Sequence, residues 1–481
     1  MTLDGLGLSP ATAVRIADGS VRAVPSPAAL DRAHDSWETA RRLALTGRVY
    51  GRSTGVGANR GESVPSGGGA DHGRRLLRSH AGAIGGELPA REVRAMLVIR
   101  ANQLLAGGAG LNPAVITALC AALDSGAYPV VNEFGSVGTG DIAALAQMGL
   151  ALAGEHPWRG GTPPAPLPLD NNDALALISS NALTLGQAAL ALAELRTLVL
   201  ATEVVAALSH LAVDGSYEPY AEPVHAPRAG LPAHGVAARM RTLLGAPARP
   251  HPPLGRIQDP YGFRCLPQIH GPAHAAADAL GAAIATEVNT ATENPLISPP
   301  DQAAYHHGGF YLAGLALALD HFRLALTQTA RLSTSRLAAL NEPAFTRLRP
   351  FLAAGEAASS GVMILEYAAG AALGDLRAFS APASLGHTVL SRGVEEQASF
   401  ASLAARQTLR AAGAFRLVVG CELVAAVRAL RLRGLRPAPG LASRDAFELA
   451  CGALPDNPAD RPLTDDVTTA AALLDAFAPP A

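Results

Sequence analysis

The chain has 481 residues, 49% hydrophobic but only 4% aromatic, with a formal net charge of −2. Its length permits a large buried core or several domains, and the small charge, without a basic run, excludes an electrostatic footprint for nucleic acid. All 38 basic residues are arginines, which excludes a Schiff-base lysine, a pyridoxal-phosphate anchor and a P-loop, each of which needs an ε-amine.

In chain order, residues 1 to about 90 mix short apolar runs with Gly- and Ser-rich loops, and Gly61 to Gly73 reads as a mobile loop or lid. Apolar residues recur at helical spacing from Ala90 to Leu123, ahead of the Gly-rich stretch Gly135 to Asp141. Pro157 to Pro168 reads as a surface loop. Long helical patterns follow over Ala174–Val213, Gly309–Leu340 and Gln397–Leu432. The Pro- and His-rich stretch Gly215 to Pro260 reads as an extended connection, and the chain after Leu435 as a Pro-rich tail with frayed last residues. The expected fold is mainly α, a mixed N-terminal lobe (1–205) followed by a long-helix, up-down bundle lobe (206–481).

The cysteines, Cys120, Cys265, Cys421 and Cys451, are scattered without metal-ligand spacing and fit a reducing cytoplasm. No apolar run behind basic residues marks a signal peptide. The most apolar stretch, Ala188 to Val213, carries Glu194, Arg196, Glu203 and His210, which a bilayer penalises. A cytoplasmic protein with no membrane or nucleic-acid partner is expected. No metal is expected either, since the adjacent His306 and His307 are too few donors.

Five polar clusters punctuate the helical pattern. Tyr50 to Gly57 is a Gly-rich turn presenting a phenol, and Arg78-Ser79-His80 brings an imidazole. Gln258 to Cys265 sets Tyr261 and Arg264 three residues apart, where they face one way on a helix. An arginine holds a carboxylate through paired hydrogen bonds. Asn289 to Leu296 is a polar turn with a proline stop, and Arg392 to Gln397 places adjacent carboxylates at an expected helix start. Singly, each has a structural reading. Tyr50 reads as a packed anchor, His80 as a satisfied helix-start histidine, Asp141 as the cap of its own helix, Arg264 as the partner of a core carboxylate, and Glu395 as a first-turn residue.

Together and in this order, the clusters resemble the histidine and phenylalanine ammonia-lyase family over nearly the whole chain. Tyr50-Gly51-Arg52-Ser53-Thr54-Gly55-Val56-Gly57 is similar to that family's Tyr-Gly-Val-Asn-Thr-Gly-Phe-Gly loop. Gln258-Asp259-Pro260-Tyr261-Gly262-Phe263-Arg264 is similar to its Gln-Asp-Pro-Tyr-Ser-Leu-Arg. Gly135-Ser136-Val137-Gly138-Thr139-Gly140-Asp141 resembles Gly-Ser-Val-Gly-Ala-Ser-Gly-Asp, whose Ala-Ser-Gly cyclises into an electrophilic methylidene-imidazolone. Here the loop is one residue shorter, with Thr139 where Ala-Ser stands. Further departures lie around it: Ser179 replaces an Asn, with Asn181 two residues on, and the Gly-Asn-Phe-His segment reads Gly308-Gly309-Phe310-Tyr311. Gln147 stands in place of a His.

The resemblance implies a carbon–nitrogen lyase acting on histidine or a related, N-methylated aromatic amino acid or betaine, releasing an acrylate such as urocanate. It assigns catalytic parts to Tyr50, the base, and to Tyr261, His80 and Glu395. Arg264 would clamp the carboxylate, with Gln258, Asn181, Phe310 and Asn289 completing the substrate set. The phenol's ordinary pKa near 10 must fall for this, with Arg52 or helix N-termini as the source. No cofactor is expected, because a quaternary ammonium leaves without electrophilic help, as in imidazolone-free relatives of the ergothionase type. The alternative is that Gly138-Thr139-Gly140 cyclises to an ethylidene analogue. The resemblance also implies a homotetramer whose pockets draw on three subunits. Two other readings stay open: a non-catalytic binding or scaffold homologue, and an isomerase or cyclising enzyme of secondary metabolism.

Overall fold

Alanine-rich runs fold as helices here, as their propensity favours, and strands are confined to pairs two to four residues long. The computed structural model describes residues 1–64, 71–251 and 256–477; residues 65–70 of the expected lid, Gly61 to Gly73, and the last four residues of the tail lie outside them. The chain forms two compact units. One comprises Met1–Ala193, Leu280–Asp320 and Pro382–Leu409, the other Glu194–Ala279, His321–Ala381 and Arg410–Ala481. The units interleave in sequence, unlike the contiguous lobes divided at residue 205. The reason is that the helices Ala182–Ala212, Leu266–Glu287, Ala313–Asn341 and Ala401–Arg433 each give residues to both. No helix among the described residues is long and apolar enough to cross a membrane.

The first unit is built on the helix Ala90–Leu105, buried on nearly every side from Val93 onward. A helix so placed must satisfy its polar side chains internally, and it does so by gripping the segments beside it. Asn102 Nδ2 donates to Val288 O at 2.8 Å, and its Oδ1 accepts from Gly5 N–H at 3.1 Å. Gln103 Nε2 donates to Glu287 O at 3.0 Å, while its Oε1 accepts from Ser180 Oγ at 2.7 Å. Fully buried Arg100 donates to Glu293 Oε1 at 2.6 Å, to Leu177 O at 3.2 Å and to Ala176 O. The periodicity read as one pattern from Ala90 to Leu123 is two helices, Ala90–Leu105 and Ala114–Ser125. Between them, Gly107 and Gly110 take left-handed φ of 91° and 62°. The antiparallel pair Leu296–Ser298 and Ala303–Tyr305 docks here through Ile297 N–H to Gly108 O at 2.9 Å.

In the second unit the stretch Gly215 to Pro260 is not the extended connection expected. It holds short turns and the helix Pro232–Leu244. Pro232 opens that helix, where its missing N–H costs nothing, and Gly245 closes it in the left-handed conformation. Val236 and Met240 pack with Ala206, Tyr220, Leu266 and Leu332 in one core cluster. A buried ion pair also organises this unit. Arg336 meets Glu422 at 2.6 and 2.8 Å, and Ser209 and Ser333 supply the carboxylate's remaining donors.

Removing one member of a buried pair strands the other charge, which costs about 3–5 kcal/mol. Denaturant unfolding of Glu293→Ala is therefore expected to show a loss of that order. The double replacement Arg100→Met with Glu293→Leu is expected to recover much of it.

Candidate active site

The phenol of Tyr50 sits on a turn that the buried chain holds from below. Arg52 is 4% exposed and donates to the carbonyls of Ala109 at 2.7 Å, Gly110 at 3.0 Å and Asn172 at 2.6 Å. Burial lowers its pKa to about 10, against the pull of Asp173, Asp170 and Glu293. Arg52 thus anchors the turn, and its expected part in acidifying the phenol is corrected: Arg60 is the cation whose field reaches Tyr50. Tyr50 Oη accepts from Gly57 N–H at 2.7 Å. Burial first, then the Glu395 carboxylate, holds this phenol above its ordinary pKa, while the Gly57 bond and Arg60 pull it down.

Tyr50 borders a cavity of about 420 Å³ that lies wholly within the first unit. Glu395, Phe310, Thr139 and Gly140 line it, four more of the residues the sequence singled out. Arg60, His306, Tyr311, Asn294, Ser179 and Glu396 line it too, and the sequence reading gave none of these a site role. The His306 ring meets Tyr50 edge-on with centroids 6.3 Å apart. His307, its neighbour, turns inward: its Nε2 lies 2.8 Å from Glu293 O and its Nδ1 accepts from Gly309 N–H at 2.9 Å. The His306-His307 pair had been weighed only as a metal signal, and it is split between cavity and scaffold. No group of three or more His, Cys, Asp or Glu placed to hold a metal occurs among the described residues.

Glu395 does not begin a helix, as had been expected, because the next helix starts at Ala401. It lies instead in an irregular segment where Ser391, Arg392 and Phe400 take φ of 51°, 57° and 52°. Three non-glycine residues in the left-handed region cost on the order of 1–3 kcal/mol each, and such strain collects at functional sites. The segment is tied down at both ends. Ala58 N–H donates to Ser391 Oγ at 3.0 Å, and Phe400 N–H to Val137 O at 2.9 Å.

That second tie belongs to the altered loop. Ser399 Oγ donates to Gly138 O at 2.8 Å and Ser402 Oγ to Ser136 O at 2.9 Å. Ser136 Oγ accepts from Gly138 N–H at 3.1 Å and donates to Gly140 O at 3.0 Å. Asp141 caps a helix, though not the one it precedes. Its carboxylate accepts from Thr184 N–H at 2.7 Å and Thr184 Oγ1 at 2.8 Å, in the first turn of Ala182–Ala212. Gly138, with φ of 91°, leaves no room for a side chain. A Cβ there would collide with Ser399 Oγ and come within 2.7 Å of Phe400 N and 2.9 Å of Ala401 N. This packing holds the loop at Gly138 against the segment from Ser399 to Ala401.

The remaining expected residues lie elsewhere. Asn181 is buried next to the cavity wall, donating from Nδ2 to Phe310 O at 2.7 Å, with its Oδ1 unpartnered. Asn289 is spent on structure: it bonds Leu8 N–H and O, Ala285 O and Asn102. Its assignment to the substrate set is corrected, because Asn294, five residues on, is the asparagine lining the cavity. His80 ends the helix Asp71–His80 and does not start one; its Nδ1 lies 2.9 Å from Leu76 O, and it does not line the cavity. Gln258, Tyr261 and Arg264 belong to the second unit. There Phe263 is buried and its carbonyl accepts from Tyr220 Oη at 2.9 Å, which fixes the single-turn helix Tyr261–Arg264. Tyr261 is 66% exposed, and the Arg264 guanidinium stacks 4.4 Å above its ring. Arg264 Nε is buried without a hydrogen-bond partner.

Comparison with known proteins places this architecture. The family model described as aromatic amino acid lyase matches residues 8–450. The histidine ammonia-lyase of Geobacillus kaustophilus is 35% identical over 415 residues, covering 83% of this chain and 82% of that one. The histidine ammonia-lyase of Anaeromyxobacter dehalogenans is 32% identical, covering 99% and 98%. Among solved structures, the ergothioneine-degrading ergothionase of Treponema denticola, in complex with desmethyl-ergothioneine sulfonic acid, superposes with a TM-score of 0.92. It is 26% identical and covers 99% of both chains.

The packing around position 138 is directly testable. Gly138→Ala is expected to cost about 1–3 kcal/mol, from a left-handed residue and a displaced Ser399 together. Thermal unfolding beside Gly61→Ala, where an added Cβ meets nothing within 4 Å, provides the comparison.

Proposed function

The chain belongs to the aromatic amino acid lyase family and is an ammonia-lyase-like enzyme, and from that premise we propose that it eliminates an amine from histidine or an N-methylated histidine without an imidazolone. The observation that supports this reading is the Tyr50 phenol in one cavity with Thr139 and Gly140, on a loop that lacks the family's Ala-Ser pair. Without an electrophile the leaving group must be good by itself, and a quaternary ammonium is.

In this mechanism the Tyr50 phenolate takes the β-proton. The C–H electrons form the Cα–Cβ double bond, the C–N bond breaks, and the amine departs neutral, leaving an acrylate and a protonated Tyr50. Glu395 and Glu396 hold the cationic head before it leaves, with the rings of Phe310 and Tyr311 offering faces that attract such a cation. We propose a homotetramer, in the cytoplasm, as the working form, in which Arg264 from another subunit takes the substrate carboxylate. Tyr261 and His80 are the proposed orienting groups for the leaving amine.

Purified protein offered histidine, phenylalanine, tyrosine and trimethylhistidine is expected to release acrylate from trimethylhistidine fastest, read by ultraviolet absorbance. No acrylate from any of the four would contradict the reading. Tyr50→Phe is expected to lower kcat/KM at least ~100-fold. The base acts ionised, and burial keeps its pKa above the ordinary value. The rate is therefore expected to climb about tenfold per pH unit through neutrality and level off only in alkali.

A further inference from the structure

Taking Tyr50 as the base, we propose that Arg60 is its positioning residue, holding the phenolate form in the cavity. Both side chains are fastened to one residue. Gly57 gives its N–H to Tyr50 Oη at 2.7 Å, and its carbonyl accepts from Arg60 Nη1 at 3.3 Å and from Arg60 N–H at 3.1 Å. The turn Gly57–Asn59 therefore sets phenol and guanidinium at fixed stations on the same wall. Gly57 itself is locked, with φ of 55° and Ser391 Oγ 2.5 Å from where a Cβ would stand.

The other ionisable groups on the cavity come from each element that faces Tyr50. The segment from Val394 to Gln397 brings Glu395 and Glu396, and the residue after the strand Ala303–Tyr305 is His306. Tyr311 adds a second phenol, and the loop with Thr139 and the wall from Leu175 to Ser180 add no charge. Two carboxylates beside a phenol favour its protonated form. Among the described residues, Arg60 is the one permanent cation lining the cavity. Its guanidinium is exposed, so changing it removes charge without opening the core.

Ultraviolet difference titration, with Tyr50→Phe as the blank that isolates the Tyr50 tyrosinate band, tests this without needing turnover. Arg60→Gln is expected to move the Tyr50 midpoint upward, while Arg60→Lys keeps it close to that of the unaltered protein. An unmoved midpoint in Arg60→Gln would overturn the proposal. With trimethylhistidine as probe, Arg60→Gln is expected to shift the acidic limb of kcat/KM to higher pH and to cut the neutral-pH rate roughly tenfold. A raised KM with the limb in place would instead make Arg60 a carboxylate anchor and also overturn the proposal. Full activity in Tyr50→Phe would defeat the assignment of the base itself, an outcome distinct from either.

Discussion

One buried ion pair carries the geometry of the first unit. Arg100, in the middle of an otherwise apolar helix, meets Glu293 at 2.6 Å with neither side chain reaching solvent. Two charges taken out of water need good geometry and further partners; Glu293 Oε2 is buried without one, so the added partners are on the arginine. They are the carbonyls of Ala176 and Leu177, the end of the short helix Asp173–Ile178. Cavity residues lie directly along both partners: Ser179 and Ser180 follow the gripped carbonyls, and Asn294 follows Glu293. Asn294 N–H then bonds Ser179 Oγ at 3.0 Å, closing the circuit. The part of the cavity wall made by Ser179, Ser180 and Asn294 is in this sense an extension of a salt bridge in the core.

In the same cavity the phenol of Tyr50 stands between opposing influences. Burial and Glu395 keep it protonated, whereas Gly57 and Arg60 favour the ion. A base that is reluctant to ionise suits a reaction whose leaving group needs little help, because a more basic phenolate is the better proton acceptor. The altered loop is packed against the segment that carries Glu395. Ser399, Phe400 and Ser402 bond Gly138, Val137 and Ser136, so the room beside position 138 is taken by protein.

Much of this was legible from residues alone, and the failures have physical causes. Helical periodicity found the long helices, but it ran through Gly107–Gly110, where only left-handed φ breaks the chain. Proline content disguised Pro232–Leu244, since a proline at a first turn begins a helix and does not prevent one. The Gly-rich phenol turn, the broken triad and Phe310 were readable as motifs and do share a cavity. Arg60 and His306 were not assigned. Proximity in sequence favoured Arg52, which is buried under carbonyls. The choice between His306 and His307 depends on how the strand pair before them ends. Asn289 and Asn294 are alike as letters, and only the hydrogen bonds to Leu8 and Ala285 tell scaffold from wall.

The account rests on an elimination that proceeds while Gly138, Thr139 and Gly140 remain ordinary peptide. Intact-mass spectrometry of the purified, catalytically active protein measures this most directly. The mass of the unmodified chain is the predicted result. A mass lower by two waters, localised to the peptide containing Thr139, would show a cyclised loop and contradict the claim.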